Sequence, residues 1–459
     1  MRLRTIAVIG ILSTLAAAAI VVPASGGSAD LLGLGQKSIR SGDGAYPYPL
    51  NPRPCAGLKG RHRLQCLRRL IAAHRCAKLR ERSIRVCSEA IVYRLAADDL
   101  EGREDQTGGS ALARRFLIRQ LKPFSKGLNR SARGEDAYLQ IFPGGANVVS
   151  VIRGTDLADE YVIVGAHYDH LGRACFSEQP DDTICNGATD NAAGVAAAVS
   201  VGRAIASTRP RRSVVLALWD REEDGLIGSR FYAQNPIVPL ARTVAYVNFD
   251  IQGANLLPSL RDTTFAVGSE TGGRRLQRIV KRAIHRQPLD TTMFSWIFGQ
   301  GRSDYVSFLN VAVPSVFFTD ATGPCYHTAQ DEADIVDYDK LTGQIGTALR
   351  TTYELANRGT PPAFDPDSYV LNATYDDLVA FAKLLERGSV DMGRFSAADQ
   401  ATFREVRGTV RSLLAEGRAA FDSDDVIPLL VGAARMVSLL THGTCDGFLE
   451  RDPRHGWRR

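Results

Sequence analysis

The chain has 459 residues, with 56 Lys and Arg against 50 Asp and Glu, a formal net charge of +6, and 44% hydrophobic and 23% charged residues. These ordinary fractions exclude a disordered, fibrous or multi-span membrane chain and leave room for one large α/β domain with smaller additions. The positive surplus is too diffuse to imply nucleic-acid binding, and no nucleic-acid partner is expected.

Residues 1–24 carry Arg2 and Arg4, an apolar run over 6–22, and Val22-Pro23-Ala24, a small-residue pattern suited to signal peptidase. A cleaved signal peptide is expected, ending at Ala24 or nearby Ala29 and leading to a secreted or periplasmic protein. The competing reading is an uncleaved anchor, because the run approaches the ~20 residues that span a bilayer. Residues 25–54 are rich in Gly, Ser and Pro and read as a linker. In 55–87, Cys55, Cys66, Cys76 and Cys87 recur among Leu64, Leu67, Leu70, Ile71 and Leu79, which predicts a small Cys-rich helical hairpin. Arg61, Arg63, Arg68, Arg69, Arg75, Lys78, Arg80, Arg82 and Arg85 make it basic. It reads as a solvated cap, with contact to an envelope or membrane surface as the sharper alternative; the lack of interleaved aromatic residues argues against nucleic acid.

Residues 88–360 form the expected catalytic domain. Residues 88–119 predict a helix, a turn at 105–109 and a second helix. The runs 147–153, 161–166, 213–218, 244–249 and 311–318 are β-rich, and helical segments such as 192–206 and 274–285 separate them. Near-continuous apolar strands alternating with helices predict an α/β fold whose mixed, largely parallel sheet is covered by helices on both faces. Residues 361–459 read as a helical C-terminal appendage. Thr374 with Asp377 and Ser396 with Asp399 mark capping-box-like starts, and 426–440 is apolar but too short to span a membrane.

Eight cysteines in an exported chain favour disulfides. The first four form one group, Cys175 and Cys185 can close a short loop, and Cys325 and Cys445 are then left for each other.

Functional groups in such folds sit past the carboxyl ends of strands. His167 and Asp169 end one strand in A-H-Y-D-H, Asp190 follows in G-A-T-D-N-A-A-G, and Glu222 and Glu223 follow the next strand in W-D-R-E-E-D-G. Asp250 ends V-N-F-D and His327 sits in C-Y-H-T. Adjacent glutamates at the mouth of a buried strand repel one another unless a cation lies between them. Carboxylate and imidazole groups without thiolates suit zinc in a catalytic, incompletely filled site. One carboxylate bridging two ions makes the two-metal arrangement, and adjacent glutamates then divide into a ligand and a free general base.

These residues resemble the dizinc aminopeptidases of the zinc exopeptidase superfamily. The resemblance runs over about 95–356 and includes D-L-E-G-R at 99–103, A-H-Y-D-H-L-G, T-D-N-A-A-G-V-A, E-E-D-G-L-I-G-S, N-F-D, S-D-Y-V-S-F and Y-H-T-A-Q-D. It implies two zinc ions per chain, with His167 and Asp250 on one, Glu223 and His327 on the other, and Asp190 bridging them. Glu222 is then the base that takes a proton from the attacking water and returns it to the leaving amine, and Asp169 orients His167. Tyr326, beside His327, is either an oxyanion or substrate contact or a packing residue. Tyr305 stands where relatives carry His. The implied activity is hydrolysis of N-terminal residues from peptide substrates. The alternatives are a single-zinc glutaminyl cyclase-like acyltransferase, carboxypeptidase or dipeptidase specificity, and a non-catalytic module resembling the transferrin receptor. The oligomeric state is left open.

Overall fold

The computed structural model describes Cys55 and residues 57–177, 182–370, 373–441, Cys445, 450–452 and 456–458. The expected signal peptide and linker lie outside the described residues.

Among the described residues, nine strands form one sheet. Four parallel strands make its centre, in the spatial order β5 (Arg212–Trp219), β4 (Leu157–His167), β6 (Thr243–Phe249) and β9 (Ser315–Thr319). Every residue of β5, β6 and β9 is buried, so their apolar runs are continuous rather than alternating, as strands covered on both faces require. Parallel neighbours bring the carboxyl ends of all four to one edge. Outside this centre the sheet turns mixed: β3 (Gly145–Ile152) runs antiparallel to β5 and pairs with β1 (Lys126–Gly127) and β2 (Leu139–Phe142). On the far side β7 (Thr263–Val267) runs antiparallel to β9 and parallel to β8 (Asp290–Phe294).

The predicted strand 311–318 begins later than its apolar run suggested. Ala312 adopts a positive φ of 57° and Pro314 precedes Ser315, so 311–314 is a turn that feeds β9. The outer strands β1, β2, β7 and β8 carried no comparable signal.

Two apolar cores flank the sheet. One gathers α2 (Ile84–Leu95), α3 (Gly108–Leu121), α4 (Ala193–Ala206), α6 (Gly273–Ile284) and α8 (Tyr338–Asn357) against the face that carries Val162, Val164, Leu216 and Val247. The other joins Ile163, Val215, Ala217 and Tyr246 to α7 (Tyr305–Leu309) and, through Phe265 and Phe294, to the C-terminal helices. Between β5 and β6 the chain forms α5 (Ile227–Gln234).

The basic helix α1 (Gly60–Ala77) pairs with α2 as the spacing predicted, fastened by Cys55–Cys66 and Cys76–Cys87. Cys175–Cys185 and Cys325–Cys445 complete the set.

The C-terminal helices are α9 (Tyr375–Gly388), α10 (Ala397–Glu416) and α11 (Ser423–Thr441). At α9 the Thr374 hydroxyl accepts from Asp377 N at 3.2 Å while the Asp377 carboxylate accepts from Thr374 N at 2.7 Å, a reciprocal cap. Ser396 accepts from Asp399 N at 3.1 Å and starts α10. Their apolar stripes, with Leu378, Phe381 and Leu385 on α9 and Phe403, Val406 and Val410 on α10, belong to the second core. Among the described residues no helix is long and apolar enough to cross a membrane.

Candidate metal centre

At the carboxyl edge of the central strands, β4 delivers His167, the turn after β5 delivers Glu222 and Glu223, and the first residue past β6 is Asp250. Asp190 comes from the loop that opens α4, where Gly187 takes a left-handed φ of 51° and the Asp190–Asn191 peptide is cis. A Cβ at Gly187 would meet Asp190 O at 2.1 Å, so glycine is required for this close return of the chain. His327 arrives from the loop after β9.

The six side chains converge. His167 Nε2 lies 3.2 Å from Asp190 Oδ1 and 3.1 Å from Asp250 Oδ1. On the other side, His327 Nε2 lies 3.2 Å from Asp190 Oδ2 and 3.2 Å from Glu223 Oε2. Asp190 thus turns one oxygen toward each imidazole. Ligands about 2.0–2.1 Å from a tetrahedral zinc ion lie ~3.3 Å from one another, so each set has ligand spacing. His327 Nε2 is buried and makes no hydrogen bond of acceptable geometry despite its two carboxylate neighbours, which suits a nitrogen that binds an ion better than one that shares a proton.

Glu222 stands apart. Its Oε2 is 3.9 Å from His167 Nε2, longer than the contacts within either set, although its carboxylate lies within 4.8 Å of ligand atoms of His167 and Glu223, and the residue is buried. Burial, reinforced by Asp250, Glu223 and Asp304 and opposed by His167, pushes its carboxyl well above the usual range. Burial also works against ionised Glu223, but His327 and His170 outweigh it and bring that carboxyl down to about 2. The adjacent glutamates are therefore electrostatically unequal. On the imidazoles, burial opposes the charged form and the carboxylates win: His167 rises well above its ordinary value and His327 to about 10. So many buried carboxylates against so few cations is an arrangement that a divalent ion neutralises.

Asp169 lies against His167 as expected, although its Oδ1 is 3.6 Å from Nδ1 and its backbone oxygen is closer, at 3.3 Å. Asp169 Oδ2 accepts from Glu223 N at 3.2 Å, so one carboxylate touches both the β4 and the β5 ends. Tyr326 stacks on the His327 ring with centroids 3.8 Å apart, and its hydroxyl accepts from Arg302 at 3.1 Å. Tyr305 is buried away from the cluster; its hydroxyl donates to Trp296 O and accepts from Gly301 N, each at 3.1 Å. Asp224 accepts from Arg221 at 2.8 Å, outside the cluster.

Several groups beyond the spacing argument join the site. His170 is buried, with Nδ1 2.6 Å from Glu223 Oε1, and forms a third potential donor group with Asp190 and Glu223. The second imidazole of A-H-Y-D-H was the available signal. Asp331 accepts from Thr189 N and Thr189 Oγ1 at 2.9 Å and from Asp190 N at 3.1 Å, which fixes the Asp190 loop. Arg103 is fully buried and donates to the backbone oxygens of Leu95, Tyr168, Asn186 and Gly187, clamping the β4 end to that loop. Burial lowers its pKa to about 10 against the pull of Asp169, Asp190, Asp331 and Glu223, so it stays charged. Asp304 is buried beneath His167 and Asp250, and burial raises its carboxyl to about 7.

Residues 147–351 match Peptidase family M28. A probable glutamate carboxypeptidase of Arabidopsis thaliana is 31% identical over 207 residues, 41% of this chain and 26% of that protein. An aminopeptidase of Rattus norvegicus is 28% identical over 222 residues, 42% of this chain and 28% of that protein. The chain therefore spans less than a third of the length of these curated relatives. Among solved structures, the LapA aminopeptidase of Legionella pneumophila is 19% identical with a TM-score of 0.46, covering 63% of this chain and 74% of that one. A glutaminyl cyclase of Bacteroides thetaiotaomicron is 18% identical with a TM-score of 0.46, covering 58% and 96%. Over residues 147–351 the chain is therefore similar to Peptidase family M28, a match that covers a little under half of its length.

Proposed function

We propose that the chain is an exported aminopeptidase holding two zinc ions, one on His167, Asp190 and Asp250 and the other on Asp190, Glu223 and His327. The observation that carries this reading is the division of the Asp190 carboxylate between two donor sets, each with the spacing of ligands to one ion. Zinc bound there supplies Lewis acidity toward the scissile carbonyl and lowers the pKa of water.

The rest of the chemistry falls to this chain's own residues. Glu222 lies 3.9 Å from His167 Nε2, farther than the imidazole–carboxylate contacts of either set, and its raised proton affinity suits a group that takes a proton from attacking water and gives it to the leaving amine. Asp169 keeps His167 oriented. The Tyr326 hydroxyl, held by Arg302, is placed to donate to the oxygen that gains charge. The aminopeptidase direction rests on the resemblance of the motifs to dizinc aminopeptidases, and the relatives' names include both kinds of exopeptidase. Four disulfides support folding in an oxidising compartment, as export requires.

The test is zinc content together with hydrolysis of aminoacyl and N-blocked peptides, with and without chelator. Two ions per chain and chelator-sensitive release of free N-terminal residues are expected. Activity on blocked substrates alone refutes the aminopeptidase direction, one ion with cyclisation of N-terminal Gln favours the cyclase, and no metal favours a binding module. Glu222→Gln should keep its zinc while kcat falls on the order of 10²–10⁴-fold; undiminished turnover removes Glu222 as the base.

A further inference from the structure

The carboxylate cluster opens into a cavity of about 140 Å³ whose walls are mainly apolar. Strands β7, β8 and β9 contribute Phe265, Phe294 and Phe317 to one side, and the C-terminal helices contribute Phe381, Leu385 and Met436 to the other. The Asp190, Glu222, Glu223 and Asp250 side chains line its polar end. Every titratable side chain on the lining belongs to that cluster or to the Arg302–Tyr326 pair beside it. The C-terminal helices lie outside the segment that matches the peptidase family, so about a third of the residues that line this cavity come from chain that the family match does not cover.

These helices are held firmly in place. Asp377 accepts from Ser295 N at 2.9 Å and from Ser295 Oγ at 2.7 Å, directly after β8. Asp391 accepts from Ser259 N at 2.9 Å, and the Thr441 hydroxyl meets that of Thr322 at 2.8 Å. Cys445 is bonded to Cys325, two residues before His327. The loop that carries His327 and Tyr326 is therefore also the anchor of the C-terminal region.

Size and chemistry select an occupant. An apolar cavity of about 150 Å³ accepts benzene, so this one accepts a single phenyl- or isobutyl-sized group. A charged side chain entering between Phe265, Phe294, Phe317, Phe381, Leu385 and Met436 would lose its hydration among apolar groups, since the charged lining residues are the cluster carboxylates and Arg302. A methyl group would leave most of the space unfilled.

We propose that helices α9–α11 form a specificity wall of the active site, closing an apolar subsite for a Phe- or Leu-sized side chain on the residue whose carbonyl is cleaved. The assignment rests on the peptidase reading above, and its test separates the two. With the full-length, zinc-loaded protein, kcat/KM is measured on anilides of Phe, Leu, Ala, Glu and Lys. Phe and Leu should exceed Ala on the order of 50-fold, with Glu and Lys lower still. Met436→Trp, which fills the cavity from α11, should reduce the Phe-to-Ala ratio more than tenfold. Leu385→Ala, which enlarges it from α9, should move the preference toward bulkier side chains and serves if the first variant fails to fold. Binding of toluene, followed by NMR or calorimetry, reads the cavity without catalysis and should be lost in Met436→Trp. Toluene binding that Met436→Trp abolishes, in a protein that cleaves no peptide, supports the subsite while refuting the peptidase. Peptide hydrolysis with a Phe-to-Ala ratio near one, or a ratio that neither variant moves, overturns the subsite while the peptidase stands.

Discussion

Asp331→Asn probes how far the proposed metal centre depends on a residue outside both donor sets. In the native protein both carboxylate oxygens are used: Oδ1 accepts from Thr189 N and Thr189 Oγ1, and Oδ2 accepts from Asp190 N at 3.1 Å. Asparagine keeps the shape but turns one acceptor into a donor, so one backbone N–H beside the Asp190 carboxylate faces another N–H. A bond to a charged acceptor contributes about 1.5–3 kcal/mol and a neutral one about 0.5–1.5, so one lost bond and two weakened ones amount to roughly 3.5–6 kcal/mol if nothing relaxes. Two effects reduce the loss of stability. Burial already disfavours the ionised Asp331, which Asn relieves, and the loop keeps the bonds Ala188 N to Asp331 O at 2.9 Å and Gln252 N to Thr189 O at 3.3 Å. What is left is a displacement of Asp190, the residue shared by both donor sets. Zinc affinity, measured by competition with a chromophoric chelator, should fall 10–100-fold, with only a modest change in the melting of the metal-free protein. Native zinc affinity in this variant would refute the positioning argument.

Glu270 tests a different corner of the fold. Burial lifts its carboxyl to about 8, partly opposed by the Trp296 N–H at 2.5 Å, so the folded protein holds a proton that the unfolded chain releases above its ordinary value of 4.5. Stability is then lost as pH rises from 4.5 to 8, at up to ~1.4 kcal/mol per unit; Glu270→Gln keeps the acceptor and should flatten that slope in urea melts, and an unchanged slope contradicts the burial argument. The neighbours Gly108 and Gly109 should respond oppositely to alanine. A Cβ at Gly109 would lie 1.8 Å from Leu100 O, whereas none at Gly108 meets anything within 4 Å. Gly109→Ala should lose about 3 kcal/mol and Gly108→Ala should be neutral or slightly stabilising, again read in urea melts; equal effects would refute the packing there.

The four central strands were legible because burial on both faces makes apolar content, not register, their signal. Residues 263–267 and 290–294 were not, since T-T-F-A-V and D-T-T-M-F are short and Thr-rich, and β8 is only partly buried at the sheet edge. The antiparallel direction of β3 and β7 is set by tertiary packing and leaves no mark in a local pattern. At the site, His167, Asp190, Glu222, Glu223, Asp250 and His327 could be grouped because each closes or follows a strand. His170 escaped because one imidazole at that strand end already satisfied the pattern, and the part played by Arg103 depends on backbone oxygens more than sixty residues away for three of its four bonds.

The same distinction applies to the C-terminal helices. Their stripes of Leu378, Phe381 and Leu385 and of Phe403, Val406 and Val410 state that each helix has a face to bury, but a stripe is silent about what buries it. The answer lies in particular polar contacts, Asp377 on Ser295 and Asp391 on Ser259, and in a disulfide that ends two residues from His327. Those contacts turn the stripes toward Phe265, Phe294 and Phe317 and leave an apolar gap beside the carboxylates. A metal-binding cluster at a strand edge fixes where charge can be stabilised, and the choice of side chain next to it is made by whatever apolar wall the rest of the chain brings across. Here one side of that wall comes from the C-terminal helices, so on the proposed subsite substrate preference can change through α9–α11 without any change to the six residues of the carboxylate and imidazole cluster.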